Sequence, residues 1–423
     1  MKKLLPLAIG AALLAAASSA FAITDEEGNA SLQFNFSAPG ARSLAMGGAF
    51  IGLADDATAA FSNPAGLVQL AAPEVSLEFR ANDFSTEYAH SGSFTADPFS
   101  TAGVNYREAD SDTRGPSFLS VVLPQDDWAV AFYRHEFLNY ETAFRTEAIG
   151  SIYPFDAAID VSIYSYGLSG AFKLNDRWSF GASLNAYQMD LDSNTRRFTT
   201  VADTLVRFST QQQGDDGAFG FGLGAQYQVN DQLQAGLVYR RAPKFKYTAS
   251  IVPGTQTFPR LDKEAYLDTP DLLGLGLVYR PSDALTLALD VSHVQYSQLT
   301  DDMISNFNLN DETAAGRAAL DPLLTKDGYE IRLGMEYTFT EMTVPLSLRA
   351  GVWRDPEHTV RFNGIPDPDY VDAVANAVLF SHGDDELHTS VGFGWAFEKF
   401  QLDAAFDTSE RNETFSLSGV LRF

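Results

Sequence analysis

From Val75 onward, short segments that alternate apolar and polar residues follow one another to the C-terminus, and this repetition limits what the chain can become. In the first of them Val75, Leu77 and Phe79 alternate with Ser76 and Glu78. A strand points successive side chains to opposite faces, so such a segment shows one face to an apolar medium and the other to a polar one. One segment of this kind would also fit a soluble amphipathic strand. Comparable segments recur at 116–123, 128–144, 157–174, 178–200, 217–229, 233–252, 265–280, 285–299, 326–340, 344–358, 387–397, 400–407 and 413–423. With the first they make about fourteen strands, an even number as expected of a single-chain bacterial outer-membrane barrel.

The connections between these segments sharpen the reading. Those at 124–127, 175–177, 230–232, 281–283, 341–343 and 398–399 are short, whereas 85–115, 201–216, 300–325 and 359–386 are long and fall in the other positions. Short turns on the periplasmic side and longer loops outside are the asymmetry of an outer-membrane barrel. Faces can also be assigned. Phe415, Leu417, Gly419, Leu421 and Phe423 share the lipid face of the last strand, with Thr414, Ser416, Ser418 and Arg422 opposite. Val391, Phe393, Trp395 and Phe397 face lipid in the same way, and the inward Gly392 and Gly394 leave room for a plug. Inward charges at Asp290, Arg332, Glu336, Arg349 and Asp403 are expected to pair with one another or with that plug, because buried charges need partners.

The first 22 residues read as a secretory signal peptide. They carry Lys2 and Lys3, an apolar core over 4–17 and an Ala20-Phe21-Ala22 cleavage site. No long apolar stretch follows, which excludes a helical bundle in the inner membrane. Of the 29 basic and 55 acidic residues, the signal removes two basic ones, leaving 27 − 55 = −28. That balance argues against nucleic acid as a partner. Cysteine is absent, so disulfides and thiolate chemistry are excluded.

Little in the sequence points to catalysis, a cofactor or a metal. His382 and His388 bracket Gly383-Asp384-Asp385-Glu386 without the ligand spacing of a calcium loop. A solvated acidic loop explains them better. The outer acidic residues Glu108, Asp110, Asp112, Asp301, Asp302, Asp311, Asp367, Asp369 and Asp372 could bind divalent cations that bridge to lipopolysaccharide phosphates. A lipid hydrolase would need a paired serine and histidine, but no G-x-S-x-G occurs, and Ser292 and His293 point to opposite faces of a strand.

The stretch from Gly40 to Leu67 differs in kind from everything after it, being rich in glycine and alanine. Asp55 and Asp56 stand where a helix would be capped, 57–61 could make a short helix, and Asn63-Pro64 would stop it. Phe50, Ile51, Leu53, Phe61 and Leu67 supply apolar surface for docking inside something larger. With its Gly40, Gly47-Gly48, Ala54-Asp55-Asp56 and above all Asn63-Pro64-Ala65, the segment from Phe36 to Leu67 resembles the N-terminal hatch of the FadL-type outer-membrane transporters. Thr269-Pro270-Asp271 and the C-terminal Gly419-Val420-Leu421-Arg422-Phe423 extend the resemblance.

The resemblance implies an all-β, transmembrane antiparallel barrel over 74–423, its lumen plugged by an N-terminal hatch with short helices over 23–73. It implies passive transport of long-chain fatty acids or other hydrophobic compounds, including hydrocarbons, across the Gram-negative outer membrane. A hatch gate at Asn63, Pro64 and Ala65 would open a lateral exit into the membrane, and the protein would be a monomer without cofactor or metal. The aromatic C-terminus resembles the signal read by the barrel-assembly machinery. Phe34, Phe36, Phe50 and Phe61 are candidate apolar contacts for ligand, and 371–380, with a helical apolar face, is a candidate cover for the outer mouth. Two other readings stand beside this one: an open porin, and a barrel with the same hatch that serves as a docking platform for surface or secretion proteins.

Overall fold

The computed structural model describes residues 38–93, 103–150, 153–198, 206–254, 259–301, 323–362, 380 and 383–423. The signal segment 1–22, Phe34, Phe36 and nearly all of 371–380 lie outside the described residues. Fourteen antiparallel strands close a barrel. They are β1 Glu74–Gly92, β2 Val104–Pro124, β3 Trp128–Arg145, β4 Phe155–Lys173, β5 Trp178–Phe198, β6 Val206–Gln228, β7 Leu233–Arg241, β8 Leu272–Ser282, β9 Leu285–Val294, β10 Gly328–Phe339, β11 Leu346–Asp355, β12 Glu386–Ala396, β13 Phe400–Thr408 and β14 Asn412–Arg422. Each strand pairs with its neighbour in sequence, and β1 pairs with β14 from Glu74–Arg422 to Phe84–Asn412. Closure gives every strand a hydrogen-bonded neighbour on both sides, as lipid, which cannot hydrogen-bond, requires.

The dyad of the sequence is the dyad of the wall. Val391, Phe393, Trp395, Phe415, Leu417 and Leu421 are exposed on the outside, while Ser390, Thr414, Ser416 and Ser418 are buried inside. Trp128, Trp178, Trp395, Phe397 and Phe400 cluster at the rim with the short turns, where amphipathic rings sit at a membrane interface. Among the described residues no helix is long and apolar enough to cross a membrane.

Four segments differ from the sequence expectation. Two stretches expected as long loops, 85–115 and 201–216, are mostly strand: β2 begins at Val104 and β6 at Val206. Strands β1 to β6 therefore run well past the roughly 9–11 residues that span a bilayer. Their projecting outer faces carry Asp110, Asp112, Glu141, Asp160, Asp190, Asp192 and Asp215, all outward and too polar for lipid. Hydrophilic strand was thus mistaken for loop.

The segments 233–252 and 265–280 are each broken in two. Pro243 and Pro270, which lack an N–H for the ladder, stand at the breaks. Between them Lys244–Pro253 and Leu261–Asp268 form a separate outer hairpin whose first strand pairs with the top of β6. Asp271 fixes the corner by accepting from the Ala242 amide (3.0 Å) and the Tyr239 hydroxyl (2.9 Å).

Candidate functional site

Residues 38–73 lie inside this barrel. Helix α1, Ala41–Ala45, is followed by Gly47 and Gly48 at φ 64° and 74°, a left-handed pair that reverses the chain. Asp56 does not cap the next helix directly. Its Oδ1 accepts from the amide and hydroxyl of Thr58 (2.9 and 2.5 Å), and α2, Ala59–Ser62, starts after Thr58. Asn63 is extended (φ −155°, ψ 100°), so the helix stops where Pro64 demands, and a 3-10 turn over Pro64–Gln69 follows.

Charged groups on the wall hold this segment. Arg42 bonds Asp55 (2.6 Å) within the hatch and Glu336 (2.9 Å) on β10. Arg349 bonds the same Glu336 (2.5 Å) and Asp403 (2.7 Å). Asp290 accepts from the amides of Phe50 (2.6 Å) and Ile51 (2.7 Å), and Arg332 donates to the Gly47 carbonyl (3.1 Å) while paired with Glu330. On the far side Glu78 accepts from the Gly40 amide (3.0 Å), and Gln226 and Gln234 both donate to the Gly52 carbonyl. The inward charges read from the sequence pair with one another and with the hatch. Burial alone would lower the Arg42 pKa, but Asp55 and Glu336 raise it well above the ordinary value. Burial raises the Asp56 carboxyl above the ordinary range, against the pull of Arg42 and Thr58.

Beside these anchors the hatch backbone also rests directly on wall glycines. A Cβ at Gly276 would lie 2.3 Å from the Gly52 nitrogen, one at Gly351 2.1 Å from the Gly47 nitrogen, and one at Gly236 2.4 Å from the Ile51 carbonyl. Similar positions are Gly181 under Pro64 and Gly334 under Met46, while Gly224 and Gly392 face the side chains of Asn63 and Ala45. Gly394 instead makes room for the Asp403–Arg349 pair.

The expected gate residues sit together at the wall. The Asn63 amide nitrogen donates to the carbonyls of Ile51 (2.9 Å) and Ala225 (3.3 Å), and its oxygen accepts from the Ala65 amide (3.2 Å). It therefore ties two turns of the hatch to β6. Asn63→Ala is expected to destabilise hatch seating by about 1–3 kcal/mol, since three bonds are lost and two buried carbonyls are left bare. Faster limited proteolysis of the 38–73 segment at unchanged barrel content checks this; an unchanged rate contradicts it. The four candidate phenylalanines are not one pocket. Phe34 and Phe36 lie outside the described residues. Phe50 is buried beside β9 with Arg42 5.7 Å from its ring, whereas Phe61 stands against β3, 4.1 Å from the ring of His135 and 5.8 Å from that of Tyr133.

Beside Phe61 the wall is interrupted. Strands β2 and β3 pair only from Phe118–His135 to Pro124–Ala129. Beyond that point β2 continues on β1, with Ser117 bulged out of register, and β3 continues on β4 with Phe137 as the extra residue. Beyond it the two strands are joined through side chains: Arg134 donates to the Pro116 carbonyl, Ser111 accepts from the Glu141 amide (3.4 Å) and Thr142 donates to the Asp110 carbonyl (3.3 Å). Burial on β3 changes phase here: Tyr133, His135 and Phe137 face inward, then Leu138, Tyr140, Thr142 and Phe144. No glycine or proline marks this kink in the sequence; two adjacent inward side chains, Phe137 and Leu138, do.

Comparison with known proteins bears on this arrangement. The family model described as outer membrane protein transport protein (OMPP1/FadL/TodX) matches residues 20–414. Outer membrane protein P1 of Haemophilus influenzae is 25% identical over 247 residues, 51% of this chain and 52% of that protein, so the chain spans about half the length of the curated relative it matches. The crystal structure of a Pseudomonas aeruginosa FadL homologue superimposes with a TM-score of 0.63 at 18% identity, covering 93% of this chain and 99% of the other. The Pseudomonas putida toluene transporter TodX gives 0.58 at 17% identity, covering 92% and 98%. These structural likenesses establish the fold.

Proposed function

Since the chain belongs to the outer membrane protein transport protein (OMPP1/FadL/TodX) family, a family of outer-membrane barrels, we propose that it carries hydrophobic molecules passively through its barrel, with the hatch as gate and the interrupted β2–β3 seam as exit. An apolar molecule is hindered by the sugar-rich outer leaflet and needs an apolar route past it. Inward-facing Tyr187, Met189, Phe137, Leu138, Phe245 and Tyr247 offer one in the projecting part of the barrel, above the hatch. A central aqueous path is blocked by 38–73, which favours leaving sideways. The observation that carries the reading is the loss of β2–β3 pairing beside Phe61, where the hatch abuts the gap. A displacement of α2 and the Asn63-Pro64-Ala65 turn would uncover it.

The substrate class is a long-chain fatty acid or another hydrophobic compound such as a hydrocarbon. Residues 1–22 would be cleaved as a signal peptide on the way through the periplasm, 23–73 would form the hatch, and assembly would proceed through the barrel-assembly machinery. The protein would be monomeric, seated among outer-membrane lipid and lipopolysaccharide.

Deleting Phe137, the extra residue of the bulge, tests the exit. It is expected to let β3 continue its pairing with β2, leaving a heat-stable barrel that no longer delivers a labelled hydrophobe to the cell. Undiminished uptake by the deletion variant would place the exit elsewhere.

A further inference from the structure

On β1, β4, β5 and β14 the first charged residues above the apolar outer face are Asp83, Asp160, Asp190 and Glu413. Beside β6 and β7 the boundary has the opposite sign. Phe219, 74% exposed, ends the apolar face of β6, and Arg241, the outward end of β7, stands opposite Phe221 in the ladder. The hairpin that follows turns Lys244 and Lys246 outward while Phe245 and Tyr247 face in. Asp215, higher on β6, is taken by Gln188.

These cations border a notch in the outer wall. It measures about 500 Å³ and is lined by Phe219, Arg241, Pro243, Lys244, Asp268 and Gln298. Arg241 reaches Asp271 (3.4 Å) and Lys244 reaches Asp268 (3.0 Å), but both cations are about half exposed, and such pairs hold weakly. A guanidinium has five donors and an ammonium three, so each can take a further acceptor. Nor would the carboxylates be stranded if the cations turned away. Asp271 keeps the Ala242 amide and the Tyr239 hydroxyl, Asp268 is partly exposed to water, and Glu264, the partner of Lys246, also accepts from Tyr266. Directly below the notch the outer face is apolar: Phe221 meets Tyr239 edge-on at 6.0 Å, and Leu237 and Leu273 are exposed.

We propose that this notch is a binding site for the phosphorylated head of lipopolysaccharide, with a phosphate between Arg241 and Lys244 and acyl chains on Phe219, Phe221 and Leu237. Cations standing just above an exposed apolar face call for an amphiphile whose anionic head sits directly on its chains. A phosphate can accept from both cations at once, in charge-assisted bonds. The outer leaflet presents such a head at this height. Here the protein supplies the positive charge itself, whereas at Asp110 and Asp112 a bound divalent cation would have to supply it. The site rests on the outer-membrane seating of the barrel and is independent of hatch and cargo.

The test uses the purified full-length barrel in detergent with EDTA present, and fluorescent diphosphoryl lipid A and its dephosphorylated form as probes. Wild type is expected to bind the phosphorylated lipid about tenfold tighter or more. Arg241→Gln with Lys244→Gln should bring the two probes within about twofold. Phe219→Ser should weaken both alike, and Arg114→Gln, on the acidic side of the barrel, should change neither. Equal affinity of wild type for the two lipids, or a preference that survives in the double variant, overturns the site. A preference that appears only when a divalent cation replaces EDTA also overturns it, in favour of bridging through the acidic residues. A double variant that has lost the lipid but still takes up hydrophobe leaves transport standing; a wild type that binds the lipid and takes up nothing refutes transport and leaves the site standing.

Discussion

Gly276→Val is expected to drive the hatch off the barrel wall. A Cβ at this position already falls 2.3 Å from the Gly52 nitrogen, 2.9 Å from its Cα and 2.5 Å from Asp290 Oδ1. None of these can retreat cheaply. Gly52 is gripped through its carbonyl by Gln226 and Gln234, and Asp290 is held by the Phe50 and Ile51 amides. Overpacking a filled interior by a methylene costs about 1–3 kcal/mol, and two methyl groups directed at backbone exceed that. The barrel, whose ladder is untouched, should still form. Steady ion conductance in planar bilayers and rapid cleavage within 38–73 are the expected signs, against a sealed wild type. Gly217→Ala, on an exposed stretch with its nearest neighbour at 3.7 Å, should behave as wild type. A sealed, protease-resistant Gly276→Val protein would contradict the direct seating of hatch backbone on the wall.

Arg349→Met is expected to lower stability by about 3–5 kcal/mol, the range for breaking a buried ion pair by removing one partner. Arg349 is almost wholly buried and bridges Glu336 to Asp403, neither of which has water to fall back on. Glu336 would keep Arg42, whereas Asp403 would keep only Gln401 (2.9 Å). Adding Asp403→Asn should therefore recover much of the loss. Thermal unfolding in detergent, read for both the single and the double variant, checks this. No loss in the single variant would mean that the network is solvated and not an anchor.

Much of the fold was legible because lipid and lumen impose opposite demands on alternate residues. Val391, Phe393 and Trp395 against Ser390, Gly392 and Gly394 state both faces without ambiguity. The projecting parts over 104–115 and 206–216 were not legible as strand, because there the outer face carries Asp110, Asp112 or Asp215 and the apolar dyad disappears while the ladder continues. The hairpin after Pro243 was hidden for the opposite reason: its strands keep the alternation, and only two prolines mark the corners.

The site was legible in part. Asn63-Pro64 stands out by its backbone demands, and the inward charges by their cost. The partners that give these residues meaning lie far away in sequence: Arg42 finds Glu336, Phe50 finds Asp290 and Phe61 finds Arg240. The alternation of β7 puts Arg240 on the inward face with Gln234, Gly236 and Val238 and Arg241 on the outward one; that Arg240 meets Phe61 is visible only in the closed barrel.

The most direct test of hatch-gated transport is uptake of a labelled long-chain fatty acid by cells lacking their own transporter, with the hatch reversibly tethered. Ser120 on β2 donates to the Ala57 carbonyl (2.9 Å), so Ala57→Cys with Ser120→Cys places a disulfide between hatch and wall. At equal surface expression, uptake should be present in wild type, absent in the oxidised pair and restored by reductant. Uptake that persists with the disulfide formed would contradict the account, because cargo would then cross with the hatch immobile.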